Sequence, residues 1–515
     1  MKFVSKHFDL QDGLLLLIAA GVVSLYVAFG GGGFPLDDSW IHQVYGRNLA
    51  ESGQWAFVPG EASAASTSPL YTILLAGGYF VGLPRVLWTN VLGILALASA
   101  GMLGRRIAER LLPEQKYVGM AAGLVLVLAW HLIWAAASGM ETMIFNAMTL
   151  LLIWLGWREL DDSRFVSPQQ LLWRGGLFGI ATALTVLTRA EGIVLAGLIG
   201  GLMLAIRPQG TMWRVILWGG SAVVLFALIV APYLLFNLNL TGGVLPDTAA
   251  AKIAENAPLL EESYPVRVVN MIFPLIAGGQ LLLAPGLVIF VVMLRRQLSQ
   301  NWQAWFYLLP LLWGVLLIAI YAARLPAPYQ HGRYVIPSLP SFIVVSLVGV
   351  LWFAKQTRRS FAGRVVSRVL LIAAGIMFVY MGVVLGPQIY RRDVEIIDQE
   401  MVKTALWIEE NIAKDALLAV HDIGAVGYFA PRPILDLAGL VSPEVVPIIL
   451  DEEPLWRLME QRNVRYLMAF PDQVPGDDVD DERLCLVYTT GGKASPAAGG
   501  GNMSVYRLTW NNQCP

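Results

Sequence analysis

The chain has 515 residues, of which 56% are hydrophobic and 14% are charged, and its formal net charge is −1. Soluble proteins are about 45–50% apolar and about 25% charged, so this composition indicates a membrane protein and excludes an ordinary soluble domain. The near-neutral net charge gives no basic field for binding nucleic acid. Seventeen Trp and seventeen Tyr residues suit membrane interfaces and the faces of sugars alike.

A spanning helix needs about 20 mostly apolar residues, and eleven segments qualify as candidates. The first is interpreted as a retained signal anchor, because no convincing small-residue cleavage site follows it. A further apolar stretch, 70–83, is short and bounded by two prolines, so it is interpreted as an interfacial helix. The eleven predicted spans are 13–33, 86–104, 118–137, 140–157, 175–188, 191–206, 215–237, 271–294, 304–323, 335–354 and 369–389.

The distribution of Lys and Arg tests this assignment, because these residues favour cytoplasmic loops. With a cytoplasmic N-terminus, the inside segments hold 18 Lys and Arg residues and the outside loops hold seven. Treating 70–83 as another span would move the four basic residues of 105–117 to the outside. The asymmetry therefore favours eleven spans in the inner or plasma membrane, with a cytoplasmic N-terminus and an outer C-terminus.

The last part of the chain, 390–515, has a different pattern from the membrane domain predicted for 1–389. Alternating helical and strand-like segments predict a small extracytoplasmic α/β domain. The predicted helices are 394–412 and 455–461, and the predicted strands are 416–420, 465–470, 485–488 and 505–508. The two cysteines, Cys485 and Cys514, could pair in an oxidising compartment, and two free thiols are equally compatible with the sequence.

The first outer loop opens with two adjacent carboxylates, Asp37 and Asp38. They precede a predicted amphipathic helix, 39–52, whose apolar stripe includes Trp40 and Tyr45. One interpretation is that a carboxylate merely caps this helix. The other is that one carboxylate serves as a general base. The two are compatible, since one Asp can cap the helix while the other stays available.

Four further polar groups fall at the predicted outer ends of spans, where ionisable side chains are costly and therefore candidates for function. Each also has a plainer interpretation: Glu141 as a solvated interfacial residue, Arg189 with Glu191 as a structural ion pair, and Arg333 as an interface marker. His331 alone is more often structural than catalytic. The groups are Ser138 to Thr142, Thr188 to Gly192, Leu245 to Thr248 followed by Lys252, and Tyr329 to Tyr334.

In this order and on this side, the elements resemble those of the GT-C superfamily of integral-membrane glycosyltransferases. The most similar branch includes bacterial arabinofuranosyl- and mannosyltransferases and RgtA/B/C/D-like proteins. The elements are the loop 36–76, which begins LDDSW, then SGMET, TRAEG, LPDTAAAK and HGRY, and the tail HDIGAVGYFAPRPILDLAGL. The chain departs from the usual pattern at Ala190, where Pro is usual, and at Asp247, where Asn is usual.

The resemblance implies an all-α polytopic GT-C membrane domain with about eleven transmembrane helices. It also implies a polyprenyl-phosphate sugar donor and a lipid, glycan or protein acceptor, with inversion at the anomeric carbon. Asp38, or else Asp37, would take the acceptor proton, with Asp38 favoured. The leaving group is a stable phosphate, so no cofactor or metal is required, although a divalent cation is compatible with the scheme. Candidates for binding the donor phosphate or sugar are Trp40, Tyr45, Arg47, Glu141, Arg189, Glu191, Lys252, His331 and Arg333.

Two other functions compete with this interpretation. A transporter or flippase of lipid-linked sugars would also have many spans and buried charges, but inverted repeats typical of transporters are not evident. A membrane scaffold with a partner-binding tail gives no reason for carboxylates and cations gathered on one side. No Walker loop, dinucleotide fingerprint, zinc helix or serine-hydrolase elbow occurs in the sequence.

Overall fold

The computed structural model describes residues 8–514, except for residues 64, 161–165, 209, 245–247, 300 and 511–513. Helices dominate this part of the chain. The first ten are α1 (Leu10–Phe29), α2 (Asp37–Ser52), α3 (Pro69–Phe80), α4 (Arg85–Leu111), α5 (Val118–Leu128), α6 (Trp130–Ala137), α7 (Thr142–Arg158), α8 (Pro168–Thr188), α9 (Gly192–Ile206) and α10 (Met212–Thr241). A short hairpin of β1 (Ala56–Val58) and β2 (Glu61–Ala62) follows α2.

The second half of the membrane region contains shorter and more irregular helices. These are α11 (Thr248–Glu255), α12 (Tyr264–Ile272), α13 (Gly279–Leu283), α14 (Pro285–Leu298), α15 (Leu309–Arg324), α16 (Tyr329–Gly332), α17 (Leu339–Gln356), α18 (Phe361–Val379), α19 (Gly386–Ile397) and α20 (Lys403–Asn411). Two π-helical segments, Tyr380–Leu385 and Asp398–Val402, join the last three into one helical run of 51 residues.

Within the described residues, eight helices are long and apolar enough to cross a membrane, or nine if the bent pair α5 and α6 forms one span. The chain is therefore an integral membrane protein. All eleven predicted spans overlap helices, although 271–294 covers several short helices with a break at Ala277 and Gly278, and α7 and α9 are short. A count of eleven stays a prediction, as do the cytoplasmic N-terminus and the outer C-terminus.

Close helix contacts in the membrane region depend on glycines. A Cβ atom added at Gly175 of α8 would lie 2.1 Å from the Trp218 carbonyl oxygen of α10, and one at Gly179 would lie 2.2 Å from that of Ala222. Small residues at such positions allow helix backbones to approach closely, which is the usual basis of packing between membrane helices. The α8–α10 pair built in this way forms one wall of the cavity described below.

The C-terminal segment, 390–515, folds around a five-stranded mixed sheet. Its strands are β3 (Leu418–Val420), β4 (Ile434–Asp436), β5 (Tyr466–Ala469), β6 (Leu484–Thr489) and β7 (Ser504–Leu508), in the order β4-β3-β5-β7-β6. The central β3 is parallel to both β4 and β5, whereas β7 is antiparallel to β5 and β6. Helices α21 (Ile423–Phe429), α22 (Glu452–Gln461) and α23 (Ala494–Ala497) complete it. The four predicted strands all lie in this sheet, and β4 was not predicted.

Cys485 of β6 and Cys514 form a disulfide bond that closes a loop with a sequence separation of 29 residues. It ties the end of the chain to the edge strand of the sheet. The two interpretations left open by the sequence thus resolve to the paired form.

We expect the Cys485→Ser, Cys514→Ser double variant to unfold its C-terminal segment more easily, by about 3–4 kcal/mol, because a cross-link of this length restricts the unfolded chain. The measurement is urea titration followed by limited proteolysis of the segment, with and without reductant. A double variant as resistant as the reduced wild type supports this, and equal resistance of all samples, reduced and oxidised, would contradict it.

The loop region between α1 and α4 and the C-terminal segment share one hydrophobic core rather than forming separate units. Trp40 of α2 packs against the rings of Tyr428 and Phe429, at centroid distances of 4.9 and 4.7 Å. Residues Ser39 to Tyr45 of α2 are all buried or nearly so, including the polar ones. The stripe predicted from helical periodicity is real, but the opposite face of α2 is covered as well.

Helices α2 and α21 run side by side, and α2 supplies a polar side chain that binds each end of α21. The Asp37 carboxylate accepts hydrogen bonds from the backbone amides of Gly424 (2.6 Å) and Ala425 (2.8 Å). The Arg47 guanidinium donates to the carbonyl oxygens of Tyr428 (2.9 Å) and Gly427 (3.2 Å). Hydrogen bonds to the unpaired amides at a helix N-terminus and positive charge at its C-terminus are both stabilising, so this arrangement fixes the C-terminal segment on α2.

Candidate functional site

A cavity of about 360 Å³ lies among α2, α8, α10, α11 and α15 and the turns that precede α7, α9 and α17. Six of the predicted site residues, from five separate parts of the sequence, line it together. These six are Asp38, Glu141, Arg189, Glu191, Lys252 and Arg333. Much of the remaining lining is aliphatic and comes from α8, α10, α11 and α15. The cavity therefore combines a charged cluster with an apolar wall.

Asp38 forms the centre of the charged cluster. Its carboxylate lies 2.6 Å from Nη2 of Arg333, and the same nitrogen is 3.0 Å from the Tyr334 hydroxyl. Burial alone would raise the pKa of Asp38, but the positive charges of Arg333 and Lys252 lower it well below its usual range. Asp38 is therefore ionised at neutral pH.

Arg333 keeps unused hydrogen-bonding capacity on its other side. Its Nη1 is buried and has no hydrogen-bond partner among the residues that the structure describes. A buried guanidinium nitrogen without a partner is costly, so this donor is suited to an anionic group entering the cavity. The lining carries four cationic side chains against three carboxylates, which gives a net positive charge; the cations are Arg189, Lys252, Arg324 and Arg333.

A second polar network in the cavity surrounds Glu141. Its carboxylate is 3.4 Å from Nε2 of His42 and 3.9 Å from the Arg189 guanidinium. Arg189 also pairs with Glu191 at 3.2 Å and donates a short hydrogen bond to the Tyr321 hydroxyl. The network holds the broken junction between α8 and α9 against α2 and α15.

Lys252 links the cavity to the C-terminal segment. Its ammonium group lies 3.3 Å from the Glu255 carboxylate, and Glu255 in turn lies 3.4 Å from Nε2 of His421. Burial would lower the pKa of His421, but hydrogen bonds to Asp422 and Glu255 raise it to about 10. Gln473 donates to the Asp422 carboxylate at 2.7 Å and fixes the far end of the chain of contacts.

The other predicted site residues lie outside the cavity lining. Asp37 and Arg47 hold the ends of α21, as described above. Burial and the neighbouring charge of Asp422 raise the pKa of Asp37 to about 8. Trp40 belongs to the core between α2 and α21, and the Tyr45 hydroxyl accepts a hydrogen bond from the Ala65 amide. Their part in donor binding stays a prediction.

His331 points away from the cavity although it is only two residues from Arg333. Its Nε2 lies 2.7 Å from the Asp393 carboxylate, and its ring contacts those of Trp130 and Trp134. The motif residues Leu245, Pro246 and Asp247 lie outside the described residues. Across the described ranges, no three His, Cys, Asp or Glu side chains form a group that could hold a metal ion.

Several cavity residues were not predicted from the sequence. His42 lies one helical turn after Asp38, a spacing that places both on one face of α2 and could have suggested it. Tyr321 and Arg324 end an apolar run, where aromatic and basic residues are common interface markers. Tyr233 lies inside α10 next to Pro232, and nothing in its local sequence distinguishes it.

Comparison with solved structures shows a common architecture over nearly the whole chain. ArnT from Cupriavidus metallidurans bound to undecaprenyl phosphate matches 98% of this chain and 99% of its own, with a TM-score of 0.57 and 14% identity. The archaeal oligosaccharyltransferase AglB from Archaeoglobus fulgidus, in complex with an inhibitory peptide and a dolichol-phosphate, matches 98% of this chain and 75% of its own, with a TM-score of 0.55 and 11% identity.

The mycobacterial arabinofuranosyltransferase AftD matches 97% of this chain and 40% of its own, with a TM-score of 0.51 and 14% identity. The chain has the GT-C fold. That part of the resemblance seen in the sequence is confirmed.

Two sequence comparisons add to this. A terminal β-(1→2)-arabinofuranosyltransferase of Mycobacterium tuberculosis is 30% identical over 247 residues, which cover 45% of this chain and 38% of that protein. The match thus spans well under half of the relative's length. Residues 388–506 match the model of a domain of unknown function, DUF8728.

Proposed function

We propose that the protein is a glycosyltransferase that moves a monosaccharide from a polyprenyl-phosphate donor to a hydroxyl group of a lipid, glycan or protein acceptor. The observation that carries the proposal is the convergence of Asp38, Lys252 and Arg333 in one cavity of a GT-C fold. In this scheme the reaction takes place on the outer face of the inner or plasma membrane. The Cys485–Cys514 disulfide supports that location, because disulfides persist in oxidising compartments.

The chemical character of the cavity matches a polyprenyl-phosphate sugar. Arg333 and Lys252 offer a guanidinium and an ammonium group to the phosphate, and the Arg333 Nη1 atom provides an unused donor for it. The aliphatic wall between α8 and α10 suits the first isoprene units; it includes Leu187, Val230 and Leu234. A soluble nucleotide-sugar would gain nothing from such a wall, so the lipid-linked donor is favoured.

In the proposed reaction, Asp38 removes the proton from the acceptor hydroxyl as that oxygen attacks the anomeric carbon. The new bond forms on the face opposite the phosphate, and the bond between the anomeric carbon and the phosphate oxygen breaks. The negative charge that develops on the departing phosphate is stabilised by Arg333 and Lys252. A single displacement of this kind inverts the configuration of the anomeric carbon, and the adjacent Asp37 takes no part in it.

Donor binding also raises the low pKa of Asp38, which would otherwise make this carboxylate a poor general base. A carboxylate paired with Arg333 and close to the charge of Lys252 is a weak base, because both cations lower its pKa. A bound phosphate adds negative charge beside the same two cations, which raises the pKa of Asp38 towards neutrality and makes it a better proton acceptor. The contact with Arg333 thus keeps the pKa of Asp38 low until the donor is bound.

The test is mass-spectrometric turnover of a panel of polyprenyl-phosphate monosaccharides by the purified protein, with an acceptor extract. Loss of sugar from the carrier with a matching mass gain on an acceptor supports transfer. Movement of an unchanged donor across vesicles without covalent change would overturn the proposal in favour of a lipid-linked sugar transporter.

We expect Lys252→Gln to weaken undecaprenyl-phosphate binding about 10- to 100-fold, since a charge-assisted contact contributes about 1.5–3 kcal/mol. Binding is measured by the shift of the intrinsic Trp fluorescence on titration with the lipid phosphate. Lys403→Gln is the matched control, because Lys403 donates to the Thr490 carbonyl oxygen far from the cavity. Equal affinities of the two variants would remove Lys252 from the donor site.

A further inference from the structure

The turn that delivers Arg333 to the cavity has an unusual backbone. Three consecutive residues, Gln330, His331 and Gly332, have φ angles of 53°, 58° and 71°. The left-handed region is unfavourable for residues other than glycine, so two such residues in a row require support from their surroundings. Arg333 follows at once with a right-handed conformation. The direction of its side chain therefore depends on whatever holds this turn.

His331 supplies that support through a contact with the last membrane helix. Its Nε2 donates to Oδ2 of Asp393, at 2.7 Å, and the same oxygen accepts from Nε1 of Trp134, at 2.8 Å. The His331 ring lies edge-on between two indoles, 5.2 Å from Trp130 and 5.1 Å from Trp134. Three groups thus fix the ring in position and direction.

Pro274 also supports the turn, through its contact with Gly332. A Cβ atom added at Gly332 would lie 3.1 Å from Pro274, whose carbonyl oxygen is 2.8 Å from Nε2 of His131. The turn thus packs against Pro274 and is tied to Asp393 through His331. On its other side, Arg333 reaches Asp38.

We propose that His331 and Asp393 are positioning residues that hold the left-handed turn and thereby aim Arg333 at Asp38 and at the donor phosphate. The inference rests on the proposed function for its catalytic consequence, whereas its structural part concerns the turn alone. It gives His331 a role outside the cavity. Because Asp393 lies inside 388–506, it also gives one residue of the domain of unknown function a defined task.

The deciding variant is Asp393→Ala, because it removes the support and leaves the sequence of the turn unchanged. We expect kcat/KM for the polyprenyl-phosphate donor to fall about 10- to 100-fold, as a displacement of about 1 Å in a reacting group costs. Asp393→Asn keeps an oxygen acceptor for His331 and Trp134, and we expect it to restore most of the activity. Glu395→Ala is the matched control, since that carboxylate bonds only to Gln399 of the same helical run among the described contacts.

A double-mutant cycle separates positioning from general destabilisation. In an Arg333→Gln background, Asp393→Ala should lower the residual kcat/KM less than threefold, because there is no guanidinium left to aim. An equal loss in both backgrounds would overturn the proposal, as would a loss with Glu395→Ala of the same size.

Hydrogen–deuterium exchange of the turn, 329–335, provides a readout that needs no turnover. We expect faster exchange of these amides in Asp393→Ala and unchanged exchange in Glu395→Ala. If the parent protein transfers no sugar but the turn loosens as expected, the proposed function fails while the positioning of Arg333 stands. If exchange at the turn is the same in all variants, the positioning role is wrong whatever the activity.

Discussion

Asp38→Asn is expected to lower turnover of the polyprenyl-phosphate donor by about 10²–10⁴-fold, because it removes the only carboxylate proposed to accept the acceptor proton. The change is nearly isosteric and retains an oxygen that accepts from Arg333, so folding should be preserved. The measurement is single-turnover release of sugar from the carrier, followed by mass spectrometry.

Asp37→Asn is the matched variant, with the same chemistry one residue away. Asp37 accepts two backbone hydrogen bonds with its two oxygens, so the amide nitrogen of Asn would face a donor. We expect a loss of stability of about 1–3 kcal/mol with a smaller effect on turnover. Turnover that survives Asp38→Asn but not Asp37→Asn would reverse the assignment. Turnover that survives both would direct attention to Glu141 and Glu191.

Gly424→Ala is expected to detach the C-terminal segment from α2. A Cβ atom at Gly424 would lie 2.1 Å from the Asp37 carbonyl oxygen, and backbone atoms cannot move away as a flexible side chain can. Overpacking of this kind costs about 1–3 kcal/mol or more, and here it also stretches the two bonds that Asp37 accepts. Because Asp38 is the next residue of α2, activity should fall together with stability.

Limited proteolysis between the membrane region and the sheet measures this detachment, together with thermal unfolding. Gly77→Ala is the control, since a Cβ atom there meets nothing within 4 Å and alanine favours a helix. Resistance to proteolysis equal to wild type in Gly424→Ala would show that α2 and α21 tolerate a wider spacing than the structure has.

The charged residues of the cavity could be predicted from the sequence for a simple physical reason. Ionisable groups at the ends of apolar segments are expensive, so Asp38, Glu141, Arg189 and Arg333 stand out from their surroundings. The membrane helices were accessible by the same logic, because length and hydropathy define them with little help from tertiary contacts. Their meeting in one cavity, however, depends on helix packing that no local pattern encodes.

The roles of Asp37, Arg47 and His331 could not be predicted, because their partners are distant in the sequence. Asp37 and Gly424 are 387 positions apart, and Arg47 and Tyr428 are 381 apart. A charged side chain bound to backbone amides has the same sequence appearance as one that binds substrate. The strand β4 was missed because three residues next to a proline-rich turn carry too little alternation to be recognised.

The helical run from Phe361 to Asn411 is longer than a bilayer is thick. Its 51 residues measure about 75 Å at 1.5 Å per residue, whereas a hydrocarbon core is about 30 Å thick. The C-terminal part of this run is fixed to the sheet region, because the buried Glu400 carboxylate accepts a hydrogen bond from the Met503 amide at 2.8 Å. The run thus connects the membrane region to the sheet as one continuous helix. Asp393 lies between the membrane part of the run and the part that contacts the sheet.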